Sequence, residues 1–301
     1  MSRPTRVLAG ARGVNKTSWF WPADGAPANG VVLFFGGDSV DAADAPPDVV
    51  RLQAPAAQAA AVQTRWPQCA VVCVTPSRHE AGFACYDRFL PATTRAGDPL
   101  GTPPAGLPAL SQAGSLLEAG RWPAATAGEA EAGAGAPASA SPALWPPTRV
   151  VGFSKGGTII SQMLAELAAV GQARAGGDAA ALAALEGAHP AALRLAASIQ
   201  SLVYIDSGLN CRGSHCTDPG VAAGVARLGP PPPSLEIHGT ARQWGDARRP
   251  WLADEAARCA RAFEGAGVPV RKEEHPPGAV GAGLASHFRV IDVALAREGG
   301  V

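Results

Sequence analysis

A mostly parallel α/β sheet flanked by helices, of α/β-hydrolase type, is the fold that this sequence predicts, and three observations predict it. Short apolar runs rich in β-branched residues recur along the chain, and helix-forming stretches separate them. The five residues Gly152-Phe153-Ser154-Lys155-Gly156 stand between one such run and one such helix, where a nucleophile elbow stands. Strand and helix in alternation is the rhythm of a βαβ sheet, and 301 residues with 47% hydrophobic content suffice to bury one large core. A single domain of catalytic size follows.

Taken in chain order, residues 1–28 read as a flexible N-terminal segment. It carries Arg3, Arg6, Arg12 and Lys16 with no acidic residue before Asp24, the character of a weak organelle transit signal, and it lacks the apolar core of a secretory one. The domain spans 29–296. Its first strand is Val31–Phe35, feeding the tight loop Gly36-Gly37-Asp38; residues 48–66 suit a covering helix; Ala70–Val74 is the next strand. From about 95 to 142 the chain turns to Ala, Gly, Pro and Ser, which cannot bury enough surface to offset the entropy of ordering, so a disordered low-complexity insert is expected. Strands resume at Arg149–Val151, Ser201–Ile205 (ending at Asp206), Ser234–Ile237 (ending at His238) and Val268–Lys272. Helices are expected at 157–170 and 250–265, a helix-prone alanine-rich stretch at 171–188, and a closing helix from His287 to Arg297.

Composition excludes several partners. Twenty-five basic and 25 acidic residues leave a formal charge of +0, so no basic face would draw nucleic acid. No run approaches the ~18 apolar residues of a membrane helix. The six cysteines read as reduced. Cys211, His215 and Cys216 resemble half of a metal clip, but no second pair at zinc-site spacing accompanies them, and neither metal nor organic cofactor is expected.

Chemistry is expected at the elbow. Gly152 and Gly156 keep its strained turn free of side-chain clashes around the nucleophile Ser154. A serine hydroxyl needs an imidazole to take its proton, and the imidazole needs a carboxylate to orient it. In this fold the order is Ser, acid, His. His287, after the last strand and just before the closing helix, is the expected base; His275, flanked by Glu273, Glu274 and Pro276, reads as a solvated turn, and His238 as a supporting residue at a strand end. For the acid, Asp246 in the loop beyond Ile237 is preferred and Asp206, at the end of the strand after the nucleophile helix, is the alternative. Oxyanion donors are expected from the backbone of Lys155 and of the Gly36-Gly37-Asp38 loop.

Several blocks read together carry a resemblance. Phe35-Gly36-Gly37-Asp38, Ser77-Arg78-His79 with Phe83 to Phe89, the elbow, Tyr204-Ile205-Asp206-Ser207-Gly208, Gly245-Asp246 through Arg249-Pro250-Trp251, and Ser286-His287-Phe288-Arg289-Val290 stand in order from about 31 to 293. In these the chain resembles the chromosome 2 open reading frame 69 family of eukaryotic, mitochondrion-associated proteins with a serine-hydrolase fold. The resemblance implies a catalytic set of Ser154, Asp246 and His287 and a mitochondrial location, with a cytoplasmic one as the alternative. The expected function is hydrolysis of an ester, thioester or amide in a small-molecule or acylated substrate. An acyltransferase, or a hydrolase-fold binding or regulatory protein of mitochondria with little catalysis, are the alternatives.

Overall fold

The structure, a computed structural model, describes residues 6–296 apart from 24, 42, 44, 121–144 and 178. Its strands are β1 (Arg6–Gly10), β2 (Gly13–Phe20), β3 (Gly30–Phe35), β4 (Cys69–Val74), β5 (Arg78–Glu80), β6 (Phe83–Cys85), β7 (Thr148–Phe153), β8 (Ile199–Ile205), β9 (Ser234–Thr240) and β10 (Val270–His275). The helices are α1 (Pro47–Leu52), α2 (Pro55–Arg65), α3 (Pro108–Ala119), α4 (Gly157–Ala175), α5 (Ala179–Ala188), α6 (Pro190–Ser198), α7 (Pro219–Ala226), α8 (Ala241–Trp244), α9 (Trp251–Gly265), α10 (Pro277–Val280) and α11 (Gly283–Ala294). Eight strands form one sheet in the order β1-β2-β4-β3-β7-β8-β9-β10, and β5 with β6 makes a separate hairpin. From β4 to β10 every pairing is parallel, while β2 runs antiparallel to both β1 and β4. This is the α/β-hydrolase fold.

Strand periodicity divides the core in two. Val31, Leu33 and Phe35 of β3, Val150 of β7, and Leu202 and Tyr204 of β8 face one layer, closed by α3, α4, α6, α7 and α9. Val32, Phe34, Val151, Phe153, Val203 and Ile205 face the other, closed by α1, α2 and α11. Buried on both sides, the central strands need apolar residues at every position, which is why they read as unbroken apolar runs.

Two expectations about order are corrected. Residues 6–20 are not a flexible leader but the hairpin of β1 and β2, which docks on β4 through pairs such as Thr17 with Val74 and buries Trp19. Their buried positions include the polar Asn15, Thr17 and Ser18, so they lack the apolar run that marks the central strands. The expected insert at 95–142 is ordered through residue 120; its remainder, 121–142, lies outside the described residues. In the ordered part, α3 buries Leu110, Leu116 and Leu117. A composition average hides these leucines among the small residues that are buried with them. The closing helix also starts earlier than expected, at Gly283, so His287 stands in its second turn rather than at its start. Among the described residues no helix is long and apolar enough to cross a membrane.

Helix α3 lacks a side-chain cap of its own, and Glu166 of α4 supplies one from outside. Its fully buried carboxylate accepts from the backbone N–H groups of Ala109 (2.9 Å) and Leu110 (2.8 Å), and from Gln162 Nε2 (2.8 Å). Burial raises its pKa from the ordinary 4.5 to about 7, against the pull of these donors. Glu166→Ala strands two buried donors and is expected to cost about 2–5 kcal/mol, read as a lower urea midpoint with unchanged slope. Because the folded pKa exceeds the unfolded one, Glu166 contributes stability below pH 4.5 that is lost as pH rises towards 7. The variant should lack that decline.

Candidate active site

The register of three parallel strands sets the site. Phe153 of β7 pairs with Ile205 of β8, which pairs with His238 of β9. The residues that follow the first two, Ser154 and Asp206, both adopt left-handed backbone, with φ of 52° and 45°. Such a conformation costs a non-glycine residue about 1–3 kcal/mol and turns the chain sharply off the sheet. Adjacent strand ends thus present a hydroxyl and a carboxylate side by side.

Small residues make the elbow possible. A Cβ on Gly156 would lie 2.1 Å from the carbonyl oxygen of Phe35, and one on Gly152 would lie 2.7 Å from that of Gly156. A Cβ on Gly37 would lie 2.4 Å from Ser154 Cβ and 2.9 Å from its Oγ. The loop after β3 is therefore pressed against the serine, as expected for an oxyanion loop, with Gly37 as its point of approach.

His287 reaches the carboxylate from α11. Its Nδ1 lies 2.5 Å from Asp206 Oδ2, so Nδ1–H donates to the carboxylate and Nε2 keeps the lone pair. Asp206 is fully buried, and Oδ1 accepts from the backbone N–H of Thr240 (2.7 Å) and from its hydroxyl (3.0 Å). The imidazole lies tilted by 37° against Phe153, with ring centroids 4.7 Å apart, and touches Phe288 edge-on. Ser154, Lys155 and His287 line one cavity of about 200 Å³ together with Asp38, Phe83, Leu209 and Arg249.

The acid preferred from sequence is thereby corrected. Asp246 is not at the histidine: it accepts from the backbone N–H and Nε of Arg248 and from Nε of Arg249 (2.9 Å), contacts that hold its carboxyl well down, at about 2. It braces the turn into α9 and fixes Arg249 at the cavity wall. Asp206 meets the histidine because it follows β8, beside β7, whereas Asp246 follows α8, which carries the chain away. His275 is likewise no solvated turn but a buried residue ending β10. The six cysteines are free thiols; in the supposed half-clip, Cys211 is exposed and Cys216 buried, and His215 Nδ1 pairs with Ser214 Oγ at 3.0 Å.

Three side chains acquire roles that spacing alone did not disclose. Lys155 was expected to act through its backbone, yet its side chain is buried, pairs with Asp98 (3.0 Å), donates to the carbonyl of Ala96 and lies over the ring of Phe83. Asp38 accepts from Ala84 N–H at 2.7 Å, and burial raises its pKa despite that bond and the nearby lysine. Tyr86, fully buried with Phe35 and Phe89, donates to the carbonyl of Gly36 at 3.0 Å. The block Phe83 to Phe89 is therefore the scaffold of the Gly36-Gly37-Asp38 loop.

No model of a known protein family matches the chain, and neither does any curated protein. Solved structures of similar shape include EstE1, a thermophilic carboxylesterase cloned from a metagenomic library, at 14% identity over 98% of this chain and 87% of that one (TM-score 0.47). A dienelactone hydrolase-like promiscuous phosphotriesterase, P91, from metagenomic libraries, is 12% identical over 98% and 95% (TM-score 0.49). A hyperthermophilic esterase from the archaeon Pyrobaculum calidifontis is 11% identical over 98% and 80% (TM-score 0.48). The fold assignment rests on strand order and the elbow.

Gly37→Ala places a methyl group against Ser154. The variant is expected to fold and to lose about 10²-fold in the reactivity of Ser154 towards a fluorophosphonate, the scale of an ångström's misplacement. Labelling at the parent rate would show that the loop does not position the serine. Tyr86→Phe removes one hydrogen bond without a change of shape and should lower stability by about 1 kcal/mol in denaturant unfolding.

Proposed function

We propose that this protein is a serine hydrolase that cleaves a carboxylic ester, thioester or amide through an acyl-enzyme, with Ser154 as nucleophile, His287 as base and Asp206 as orienting acid. One observation carries the proposal: the 2.5 Å contact from His287 Nδ1 to Asp206, with the strained Ser154 lining the same cavity as His287. A strained serine alone would be a sharp turn. A half-buried imidazole on the same cavity, oriented by Asp206, supplies the means to remove its proton.

In this reading Ser154 Oγ attacks the acyl carbon as its proton passes to Nε2 of His287. The imidazolium so formed is stabilised by Asp206, which keeps its own charge and its bonds to Thr240. Negative charge moves to the former carbonyl oxygen, where the N–H groups of Lys155 and Gly37 are suitable donors. His287 then protonates the departing alcohol, thiol or amine. Water, deprotonated by the same nitrogen, releases the acid and restores Ser154. Replacing that water with an alcohol or amine would make the protein an acyltransferase, and the cavity of about 200 Å³ suits a short acyl group in either case. Kinship with the chromosome 2 open reading frame 69 family and the mitochondrial location that comes with it belong to the same proposal, supported by the sequence blocks on which the resemblance stands.

The test is covalent labelling with a fluorophosphonate probe. The parent is expected to take one label, Ser154→Ala none, and His287→Gln to react at least about 10³-fold more slowly. Equal labelling of parent and Ser154→Ala would contradict the assignment. A folded parent that takes no label would favour a binding protein.

A further inference from the structure

The layer that covers the His287 side of the sheet is apolar across β3, β4, β7 and β8, and it changes character at β9 and β10. There the same face carries Glu236 and His238 from β9 and Glu273 and His275 from β10, the parallel register setting Glu273 beside His238. Both histidines are buried, and donor atoms of His238, Glu273 and His275 all lie within 4.8 Å of one another. None of the three lines the Ser154 cavity.

We propose that His238 Nδ1, His275 Nε2 and a carboxylate oxygen of Glu273 bind a divalent metal ion of the zinc class. The hydrogen-bond pattern leads there. Glu236 Oε2 lies 3.2 Å from His238 Nε2, and Arg65 clamps Glu236 with two bonds of 2.8 Å, so the carboxylate stays ionised and accepts from Nε2–H. That fixes the tautomer of His238 and turns the lone pair of Nδ1 towards His275 Nε2, 3.1 Å away, and the Glu273 carboxylate, 4.0 Å away. The three side chains bring ligand atoms within 4.8 Å of one another, and Glu273 Oε2 also accepts from Arg271 Nη2 at 2.5 Å, a bond that the ion would replace. Ligands about 2.0–2.1 Å from a tetrahedral zinc stand roughly 3.4 Å from one another, between the two separations found here. A carboxylate on the far nitrogen of a ligating histidine, itself held by a further partner, is the usual support of such a site. Glu273 Oε1 lies 3.7 Å from the other nitrogen of His275, Nδ1, so the carboxylate would swing towards Nε2 to share the ion. Exposure of Glu273, whose side chain keeps 38% of its surface, gives the ion a way in.

The ion would tie β9 to β10 just behind the acid. The carbonyl of His238 accepts from Asp206 N–H at 2.7 Å, and two residues on, Thr240 grips the Asp206 carboxylate. Metal binding would therefore stiffen the strand end on which Asp206 rests. The competing arrangement is a single proton shared between His238 and His275, which needs no ion.

Metal-stripped full-length protein, titrated with Zn(II) by calorimetry and with Co(II) by visible absorption, decides between them. The proposal predicts one equivalent of Zn(II) per chain, a Tm that rises with Zn(II) concentration, and a Co(II) spectrum of tetrahedral type. Glu273→Gln, at a half-exposed side chain whose loss the fold tolerates, should weaken Zn(II) binding at least tenfold, and His275→Gln should abolish it. Cys211→Ser, which removes the exposed thiol, should leave it unchanged. No binding by the parent, or binding that survives both Glu273→Gln and His275→Gln, would overturn the proposal.

Discussion

Parallel pairing of β7 with β8 and of β8 with β9 brings Phe153, Ile205 and His238 into one row, and everything at the site hangs on that row. A parallel strand cannot turn back on itself, so each must leave the sheet at its C-terminal end, and the residue that makes the exit is held by the strands on either side. Ser154 and Asp206 are two such residues, both in left-handed backbone. The strain is supported because Phe153 and Ile205, immediately before them, are packed into the core. A carboxylate at Asp206 tolerates this conformation better than most side chains, since aspartate visits it comparatively easily.

Burying Asp206 completely would be costly for an unpaired charge. Here two donors from Thr240 and one from His287 satisfy it, and the same bonds fix the direction in which the imidazole points. Thr240 is at once the last residue of β9 and the side-chain cap of α8, accepting from Gln243 N–H, so sheet, helix and acid share one threonine. The opposite wall is built by a different device. The loop after β3 carries no strand partner of its own and is held instead by Tyr86 on Gly36 and by Ala84 on Asp38.

Much of this was legible in the amino-acid sequence. The strands at 31–35, 70–74 and 201–205 are buried on both faces and announced themselves as apolar runs, and the sharp turn at Ser154 was legible because its glycines and its flanking elements agree. His287 followed from chain order. The edge hairpin of β1 and β2 was illegible because Asn15, Thr17 and Ser18 occupy its buried positions, and α3 because its leucines are diluted in a stretch dominated by small residues. Asp246 lies away from the histidine for a physical reason: proximity in sequence to the last strands says nothing of α8, which diverts the chain, while the carboxylate that His287 meets lies 81 residues before it. The cluster of His238, Glu273 and His275 is likewise invisible to spacing rules, because it forms between two strands joined through α8 and α9.

The account turns on which carboxylate orients His287, and one comparison tests it most directly: the second-order rate of fluorophosphonate labelling of Ser154 in Asp206→Asn against that in Asp246→Asn, with folding checked by circular dichroism. The geometry predicts a loss on the order of 10⁴-fold for Asp206→Asn, which leaves His287 in the wrong tautomer, and a rate within about tenfold of the parent for Asp246→Asn. The reverse ranking, with Asp246→Asn inert and Asp206→Asn reactive, would contradict it.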